Sequence, residues 1–271
     1  MIGPTDEFAA AAGWLRAARR VVVFSGAGAS AESGIPTFRD PDGLWTRFPP
    51  EQFATPDGLR AIAERSPRRA AEFVHALLQP IAEAAPNPGH HAAAALQRHA
   101  RTTVVTQNID GLHQEAGSRD VKEVHGSVFQ ITSDRGELLR RITREELRQV
   151  VARLAAVLRE GALDLASALA AVKPILGIEA GRVYRPSLVL FGEPMAEPDW
   201  CEALAATEDC DCLITVGTSG VVYPAAMLPE MATSAGGKVI HIGPEPGFGD
   251  VWLRGGAGRL LPELLRAAFD A

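Results

Sequence analysis

A glycine-rich segment directly after an apolar run is the first part of this sequence that points to chemistry. The run Val21–Phe24 is typical of a buried strand, and Gly26 and Gly28 follow it among other small residues. Small residues at a strand end let backbone N–H groups approach a phosphate closely, and a helix that begins there adds the positive end of its dipole. The pattern predicts a nucleotide site. Because a Gly-x-Gly pair alone is common, that prediction depends on the residues that follow.

Polar side chains follow a second predicted strand, Thr102–Thr106. Gln107, Asn108 and Asp110 lie within four residues of one another, where a structural turn needs only one such group. An Asx turn that caps a helix would explain Asn108 or Asp110 taken singly. Three amide or carboxylate groups at one strand end favour ligand binding instead.

His125 is the candidate general base. It lies in Val-His-Gly-Ser after a short strand-like run, and an imidazole suits proton transfer because its pKa lies near neutral pH. Most histidines in a globular protein are structural, and this chain has seven. His90 and His91 begin a predicted helix, and His113 is predicted to be structural. His75, His99 and His241 have no motif around them, and the role of general base for His125 is what a resemblance to a known family, described next, implies.

Five segments of the chain, taken in order, resemble the sirtuins, a family of NAD-consuming enzymes. The segments are Gly26–Asp40, Thr106–His113, Val124–Ser127, Arg185–Glu193 and Val216–Ala226. The first continues past its glycines into Ile-Pro-Thr-Phe-Arg-Asp, which is far more specific than Gly-x-Gly. The resemblance covers nearly the whole chain and implies an NAD-dependent protein-lysine deacylase.

The resemblance also implies roles for single residues. Asn108 and Asp110 would hold the nicotinamide ribose, the carboxamide and a bound water, and His125 would be the general base. Phe38 would shield the reacting ribose carbon, with simple core packing as the alternative, and Arg39 would face phosphate or ribose. The implied cofactor contacts are Gly26, Ala27, Gly28, Ala31, Thr37, Phe38, Arg39, Gln107, Asn108, Ile109, Asp110, His125, Gly217, Thr218, Ser219, Gly243 and Ala257.

An acyl-lysine peptide is the second substrate that the resemblance implies. It would add as an extended strand through main-chain hydrogen bonds. The flanking residues would be Phe191, Gly192, Glu193, Val221, Val222 and Tyr223. In the implied mechanism the acyl oxygen attacks the nicotinamide ribose carbon, nicotinamide leaves, and His125 takes a proton from a ribose hydroxyl. Water then releases lysine and O-acyl-ADP-ribose, so NAD is a co-substrate and not a hydride carrier.

The chain departs from the family where the family binds zinc. Sirtuins usually carry two Cys pairs between the catalytic His and the Arg-Pro strand, whereas no Cys or His lies between His125 and Arg185. A tetrahedral structural zinc needs four such ligands, so we expect no metal. Cys201, Cys210 and Cys212 lie elsewhere in the chain and are predicted to be small apolar residues.

The predicted acyl pocket is a second departure. The runs Gly217–Ala226 and Ala54–Gly58 look most like the branch that removes negatively charged acyl groups, which reads the acyl carboxylate with a Tyr and an Arg. Val74 and Leu77 stand at those two positions, so a carboxylate would lose its bidentate partner and face apolar side chains. We therefore expect acetyl or longer apolar acyl groups. At the adenosine end, Gly243 replaces the usual Asn, which leaves backbone groups to hold the ribose.

The elements that position these residues predict an α/β fold, a doubly wound, parallel-sheet Rossmann-like domain. Nearly continuous apolar runs separated by helical stretches are typical of a parallel sheet covered on both faces. The predicted strands are Val21–Ser25, Thr102–Thr106, Ser187–Phe191, Cys212–Val216 and Lys238–Ile242. Ligands of such sheets bind at the carboxyl ends of the strands, which is where every motif falls.

Two inserts predict a second, smaller, mainly helical lobe. The Rossmann-like domain would comprise residues 1–40, 87–126 and 185–271, and the lobe residues 41–86 and 127–184. Within the lobe, Thr143–Glu146 has capping-box spacing, and apolar residues follow at three- and four-residue intervals. This pattern predicts an amphipathic helix, which would supply the packing that zinc normally provides.

Composition narrows the partners and the compartment. A net charge of −6 argues against a broad nucleic-acid surface. Because the chain shows neither a long apolar run nor a signal-peptide pattern, we expect no membrane contact and a cytoplasmic location. Three cysteines argue against a disulfide framework. The oligomeric state stays open.

Two other functions stay open beside deacylation. One is an ADP-ribosyltransferase or NAD glycohydrolase on the same scaffold, because the lost zinc site and the altered acyl pocket could change the partner. The other is a binding module that senses NAD without turnover. The presence of His125, Asn108 and Asp110 speaks against the second.

Overall fold

The computed structural model describes residues 4–38, 43–160, 163–179 and 181–270. The chain divides into two compact units, each made from separate stretches of sequence. The first unit comprises Met1–Ile35, Ala85–Val124 and Ala196–Ala271, and the second comprises Pro36–Ala84 and His125–Met195.

The described residues form ten strands, β1 to β10, which in chain order are Arg20–Ser25, Arg101–Thr106, Val121–Glu123, Gln130–Ser133, Leu138–Arg141, Gly177–Glu179, Arg182–Pro186, Cys212–Val216, Lys238–Gly243 and Val251–Arg254. They also form twelve helices, α1 to α12, which are Pro4–Ala17, Leu44–Arg47, Pro50–Phe53, Pro56–Arg65, Pro67–Glu83, Pro88–Leu96, Leu112–Glu115, Arg144–Arg159, Leu165–Val172, Asp199–Glu208, Leu228–Ser234 and Ala257–Phe269. Short 3-10 helices cover Ala27–Ala29, Ala31–Ser33 and Ala225–Met227. Within these ranges, no helix has the length and apolar character needed to cross a membrane.

The first unit is built on a six-stranded parallel sheet in the order β10-β9-β8-β1-β2-β3. β1, β2 and β9 are buried at every residue but the first, and β8 is buried throughout. Burial on both faces requires continuous apolar runs, which is why the sequence predicted these four strands. β3 and β10 have only 3 and 4 residues and gave no separate signal. The predicted Rossmann-like α/β fold is confirmed.

The strand order reverses between β1 and β8. From β1 the chain runs outward to β2 and β3, then returns to β8 on the other side of β1 and continues to β9 and β10. In open α/β sheets, ligands bind outside the carboxyl ends of the strands at such a reversal. The fold therefore places the candidate ligand edge at the loops that follow β1 and β8.

The second unit combines helices with a four-stranded antiparallel sheet in the order β5-β4-β7-β6. The sequence predicted helices here and missed the sheet, because its strands are short and β5 is exposed at every residue. The predicted strand Ser187–Phe191 is wrong, since the strand in this region is β7, which ends at Pro186. The pairing of β7 with β4 ends here because β4 begins at Gln130. The last hydrogen bond between them is the one that the Ser187 N–H donates to the Gln130 carbonyl at 2.8 Å.

Helix α8 is the amphipathic helix that the sequence predicts. Thr143 Oγ1 accepts from the Glu146 N–H at 3.2 Å, and the Glu146 carboxylate accepts from the Thr143 N–H at 2.7 Å, which are the reciprocal bonds of a capping box. Its buried side chains are Leu147, Val150, Val151 and Leu154. Arg148 Nε donates to the carbonyl of Ala82, in the last turn of α5, at 3.0 Å. The helix is thus fixed at its start and packed against α5.

Candidate functional site

Two glycine-containing loops touch at the point where the strand order reverses. The Gly28 N–H donates to the Gly217 carbonyl at 2.8 Å. A Cβ added to Gly26 or Gly28 would lie 2.9 Å from an atom of Gly217, and one added to Gly217 would lie 2.2 Å from the Ala29 nitrogen. Gly217 also has a φ of +59°, which side chains disfavour. Only glycines allow these backbones to pack so closely, and Ala27 lies in the same turn.

Asn108 and Asp110 are buried beside the first of these loops. Asn108 Nδ2 donates to the Gly26 carbonyl and to Ser30 Oγ, both at 3.0 Å. The Ser30 hydroxyl in turn donates to Asp110 Oδ2 at 2.7 Å, and Asp110 Oδ1 accepts from the Leu112 N–H at 3.0 Å. Ser30 therefore joins the two predicted catalytic side chains of this unit, and both carboxylate oxygens of Asp110 are fixed.

His90 supports this network from helix α6. The Asn87 N–H donates to His90 Nδ1 at 3.3 Å, which leaves the proton on Nε2 and directs it to Ser30 Oγ at 3.4 Å. Burial lowers the pKa of His90, although the nearby Asp110 opposes that shift. No functional role was predicted for His90 or Ser30 from the sequence. The Asn-Pro-Gly-His spacing, in which Asn87 caps α6 and His90 completes the capping box, is the signal that would have found His90.

His113 closes the buried end of the same region. Ser25 Oγ donates to Thr106 Oγ1 at 2.8 Å, so His113 Nε2 is the donor in its own 2.9 Å contact with Ser25. Burial, with a smaller effect of His90, lowers the pKa of His113 to about 3. His113 Nδ1 has no hydrogen-bond partner among the described residues. Burial therefore keeps this imidazole neutral.

The remaining cofactor candidates of the first unit lie along the same sheet edge. Gln107 Nε2 donates to Thr218 Oγ1 at 3.1 Å, which joins the loops after β2 and β8. Ile109 is half-buried, and Ser219 is exposed. Gly243 is the last residue of β9, and its carbonyl accepts from Trp252 Nε1 at 3.0 Å.

Ala31 and Ala257 belong to two turns that one carboxylate connects. Glu32, next to Ala31, accepts through Oε1 from the Gly258 N–H at 3.1 Å. A Cβ on Gly256 or Gly258 would lie 2.2 or 2.1 Å from the Glu32 carboxylate. The start of α12, where Ala257 is buried, is therefore held against the 3-10 helix Ala31–Ser33.

In the second unit, His125 lies in a segment that packs on the residues after β7. The His125 carbonyl accepts from the Val189 N–H and the Ser127 N–H donates to Ser187 Oγ, both at 3.0 Å. Gly126 has a φ of +73°, and a Cβ there would lie 1.8 Å from the Ser187 carbonyl oxygen. The Val-His-Gly-Ser motif thus requires its glycine, and these contacts fix the backbone from His125 to Ser127.

The Phe191–Glu193 turn is anchored within the second unit. The Glu193 carboxylate accepts from Arg185 Nη2 at 2.6 Å and from the Leu190 N–H at 2.9 Å, and the Phe191 N–H donates to the Ala54 carbonyl at 2.8 Å. Gly192 has a φ of +89°. The Phe191 side chain is nevertheless 49% exposed.

The other predicted peptide contacts belong to the first unit and are also exposed. Val221 is 57% exposed and Tyr223 is 73% exposed, with the half-buried Val222 between them. Large apolar side chains at such exposure are available to a partner.

Val74 and Leu77 are half-buried and pack against an aromatic cluster of the second unit, Phe48, Phe53 and Phe73. Ring centroids within the cluster are 5.0 to 5.4 Å apart. Phe38 stacks on Trp45 with centroids 5.0 Å apart, and Thr37 beside it is half-buried. Arg39 lies outside the described residues.

Cysteines and possible metal ligands are scattered. Where the structure describes the chain, no three His, Cys, Asp or Glu side chains come together in a group that could hold a metal ion. Cys201 is exposed, and Cys210 and Cys212 are buried. Burial raises the pKa of the Cys210 thiol to about 11 and that of Cys212 to about 12.

The parallel sheet, its reversed strand order and the close-packed glycine loops define a protein of the Rossmann-like, dinucleotide-binding class. The profile of the Sir2 family matches residues 26–224. The chain belongs to the Sir2 family, the sirtuins.

Known proteins are similar over nearly the full chain. An "NAD-dependent protein deacylase" of Thermococcus kodakarensis is 40% identical over 265 residues, which cover 96% of this chain and 95% of the relative. The structure of a Sir2 homolog–NAD complex has a TM-score of 0.74 at 32% identity and covers 96% of this chain and 93% of its own. A Sir2 protein bound to a myristoylated histone peptide has a TM-score of 0.70 at 33% identity, with 97% of each chain covered.

Proposed function

We propose that this protein is an NAD-dependent protein-lysine deacylase that transfers the acyl group to ADP-ribose and releases nicotinamide. The observation that carries the proposal is the buried pair Asn108 and Asp110, joined by Ser30 at the glycine edge of the sheet. Membership of the Sir2 family and a relative named as an NAD-dependent protein deacylase support it.

The first unit has the features that NAD requires. At Gly26, Gly28 and Gly217 a Cβ would collide with the opposite loop, so glycine lets the two loops pack together at the strand reversal, the edge at which such sheets bind dinucleotides. Thr218 and Ser219 add hydroxyls to this edge, and Gly243 and Ala257 are proposed to contact the adenosine end. When bound, NAD supplies an electrophilic ribose carbon and a leaving group.

Asn108 and Asp110 are proposed to orient the nicotinamide ribose, its carboxamide and a water molecule. Their buried hydrogen bonds prevent either side chain from turning away, because each would leave polar atoms unpaired. Such fixed groups contribute most when they are already oriented before the reaction begins.

His125 is proposed to be the general base that removes a proton from a ribose hydroxyl. Backbone bonds of the 125–127 segment to residues 187–189 hold this part of the chain in place. Phe191–Glu193 and Val221–Tyr223 are proposed to contact the peptide main chain, and their exposed apolar side chains support this.

Nicotinamide release with and without an acyl-lysine peptide tests this proposal. We expect release only with the peptide, and we expect His125→Ala to lose acyl transfer. Release without peptide would identify an NAD glycohydrolase, and transfer of ADP-ribose to a protein without loss of an acyl group would identify an ADP-ribosyltransferase. Binding of NAD without any release of nicotinamide would identify a binding module that senses NAD without turnover.

The acyl group is proposed to be acetyl or a longer apolar chain. Val74 and Leu77 pack against an aromatic cluster, and neither side chain offers a hydrogen-bonding group to a free carboxylate. A Sir2 relative has been solved with a myristoylated peptide, which is consistent with an apolar acyl group. The chain would then be related to the branch that removes acidic acyl groups while lacking its Tyr and Arg.

We also propose that the protein contains no structural zinc and works in a reducing compartment such as the cytoplasm. The capped helix α8 and its packing on α5 supply an apolar core to the second unit. Elemental analysis should find less than stoichiometric zinc, and EDTA should leave the melting temperature unchanged. Stoichiometric zinc, or a lower melting temperature in EDTA, would contradict this proposal.

A further inference from the structure

A buried histidine that the mechanism does not use lies beneath the loop that follows β9. His241 and Thr215 are register partners on β9 and β8, and both are almost fully buried, at 2% and 1% exposure. Thr215 Oγ1 lies 2.6 Å from His241 Nδ1. Burying an imidazole costs more free energy than burying an apolar side chain at the same position, so a role for His241 beyond packing is expected.

The hydrogen bonds fix the tautomer of His241. The Glu245 carbonyl lies 3.0 Å from Nε2 and can only accept, so Nε2 carries the proton. Nδ1 is then the acceptor, and the Thr215 hydroxyl donates to it. Burial lowers the pKa of His241, which favours this neutral form.

The loop 243–249 lies directly on the imidazole. A Cβ on Gly247 would lie 2.6 Å from His241 Nε2, and one on Gly243 would lie 2.9 Å from the same atom. The contact with Glu245 holds the middle of the loop, while Trp252 and Gly255 donate to the Gly243 carbonyl at its start. Residues 244–249 are otherwise exposed, so His241 is the buried support of this loop.

Backbone hydrogen bonds connect this loop to the glycine edge. The Gly217 N–H donates to the Ile242 carbonyl at 3.1 Å, and the Gly217 carbonyl accepts from Gly28 at 2.8 Å. The loop after β9 is therefore the next one along the sheet edge from the proposed pyrophosphate site. In this chain Gly243 offers no side chain to a ribose, so contact depends on where the backbone of the loop lies.

We infer that His241 is a positioning residue that holds the loop 243–249 in the conformation that binds the adenosine end of NAD. This inference rests on the proposed function. Because the hydrogen bonds of the His241 side chain go to Thr215 and to this loop, His241 sets the affinity for NAD and not the rate of the bound complex.

Three variants test this inference. His241→Leu removes both hydrogen bonds, His241→Gln keeps a donor at the place of Nε2, and Thr215→Val removes only the hydroxyl. Ile240→Val is the matched control, because it trims a fully buried side chain of the same strand and leaves the loop contacts intact. Each is measured for kcat and KM with NAD, for ADP-ribose affinity and for melting temperature.

We expect His241→Leu to raise KM for NAD and Kd for ADP-ribose about ten-fold, with kcat within about two-fold of wild type. His241→Gln should recover most of the affinity for NAD and ADP-ribose. Inhibition by nicotinamide mononucleotide, which lacks the adenosine end, should be the same in the variants as in the wild-type protein. Thr215→Val should weaken ADP-ribose binding in the same direction, and it supplies the test if His241→Leu does not fold.

Two results would overturn the inference. One is a KM for NAD in His241→Leu, or in Thr215→Val if only that variant folds, that equals the KM of Ile240→Val. The other is a His241→Gln variant as impaired as His241→Leu. Failure of the proposed function looks different, since the wild-type protein itself would then neither bind ADP-ribose nor consume NAD.

Discussion

At the scale of single residues, the candidate nucleotide site depends on contacts that only glycine permits. Gly217 and Gly236 both have a positive φ, of +59° and +92°. A Cβ on Gly217 would lie 2.2 Å from the Ala29 nitrogen, whereas a Cβ on Gly236 meets nothing within 4 Å. Alanine variants at Gly217 and Gly236 therefore separate two costs. Both variants strain the backbone, but only the variant at Gly217 also places a Cβ against a neighbouring loop.

Gly217→Ala should therefore abolish measurable ADP-ribose binding, because the loop after β8 must move away from Gly28. Gly236→Ala should lose only about 1 kcal/mol of stability from its conformation and keep wild-type affinity. Calorimetric titration with ADP-ribose, together with thermal unfolding of both variants, makes the comparison. Equal affinity in the two variants would show that the close approach is not needed.

The sequence predicted several residues of this site, but it did not predict the hydrogen bonds that join them. Gln107, Asn108 and Asp110 stand out because three polar groups occupy one strand end. Ser30 does not stand out, since its partners His90 and Asp110 are 60 and 80 residues away and no local spacing signals such contacts. The spacing of Asn87 and His90 indicates the cap of α6 but not the contact of His90 with Ser30. Burial of polar groups and their pairing depend on the tertiary fold, which no local pattern contains.

At the scale of elements, helix α8 shows what local pattern can predict. Its capping box and its apolar spacing are properties of adjacent residues, and both occur in the structure as predicted. The neighbouring sheet was missed because β5 is fully exposed and because β4 and β7 pair across about fifty residues. Short strands without an apolar face carry almost no signal.

Thr143→Ala should lower the free energy of unfolding by about 1 kcal/mol, because the first turn of α8 loses a side-chain acceptor. Thr143→Ser keeps the hydroxyl and should stay within about 0.5 kcal/mol of wild type. Urea unfolding monitored by circular dichroism measures both. A Ser variant as unstable as the Ala variant would mean that the cap hydrogen bond is not what fixes this end of the helix.

At the scale of the whole molecule, buried neutral histidines link stability to pH. Burial lowers the pKa of His90, His113 and His241, and for His113 the pKa falls to about 3. In the unfolded chain the same groups take up protons near pH 6.5. Below that pH the unfolded state binds more protons than the folded state, so stability is complete above about pH 6.5 and falls as the pH drops towards 3.

His113 alone should contribute a slope of about 1.4 kcal/mol per pH unit in this window. His113→Gln keeps a donor for Ser25. It should lower the slope by about 1.4 kcal/mol per pH unit, which corresponds to one proton, even though the variant is less stable than the wild-type protein at neutral pH. Denaturant unfolding between about pH 4.5 and about pH 6, which lies between the folded pKa of about 3 and the unfolded pKa of about 6.5, compares His113→Gln with the wild-type protein. Equal slopes in the two proteins would exclude His113 as a titrating group.

The proposed activity couples NAD cleavage to acyl transfer, and product stoichiometry measures this coupling directly. Purified protein is incubated with NAD and an acetyl-, myristoyl- or succinyl-lysine peptide, and all products are quantified by mass spectrometry. We predict equal amounts of nicotinamide, free lysine peptide and O-acyl-ADP-ribose for the apolar acyl groups, little turnover of succinyl-lysine, and no acyl product with His125→Ala. Nicotinamide and ADP-ribose formed with no O-acyl-ADP-ribose would contradict the account.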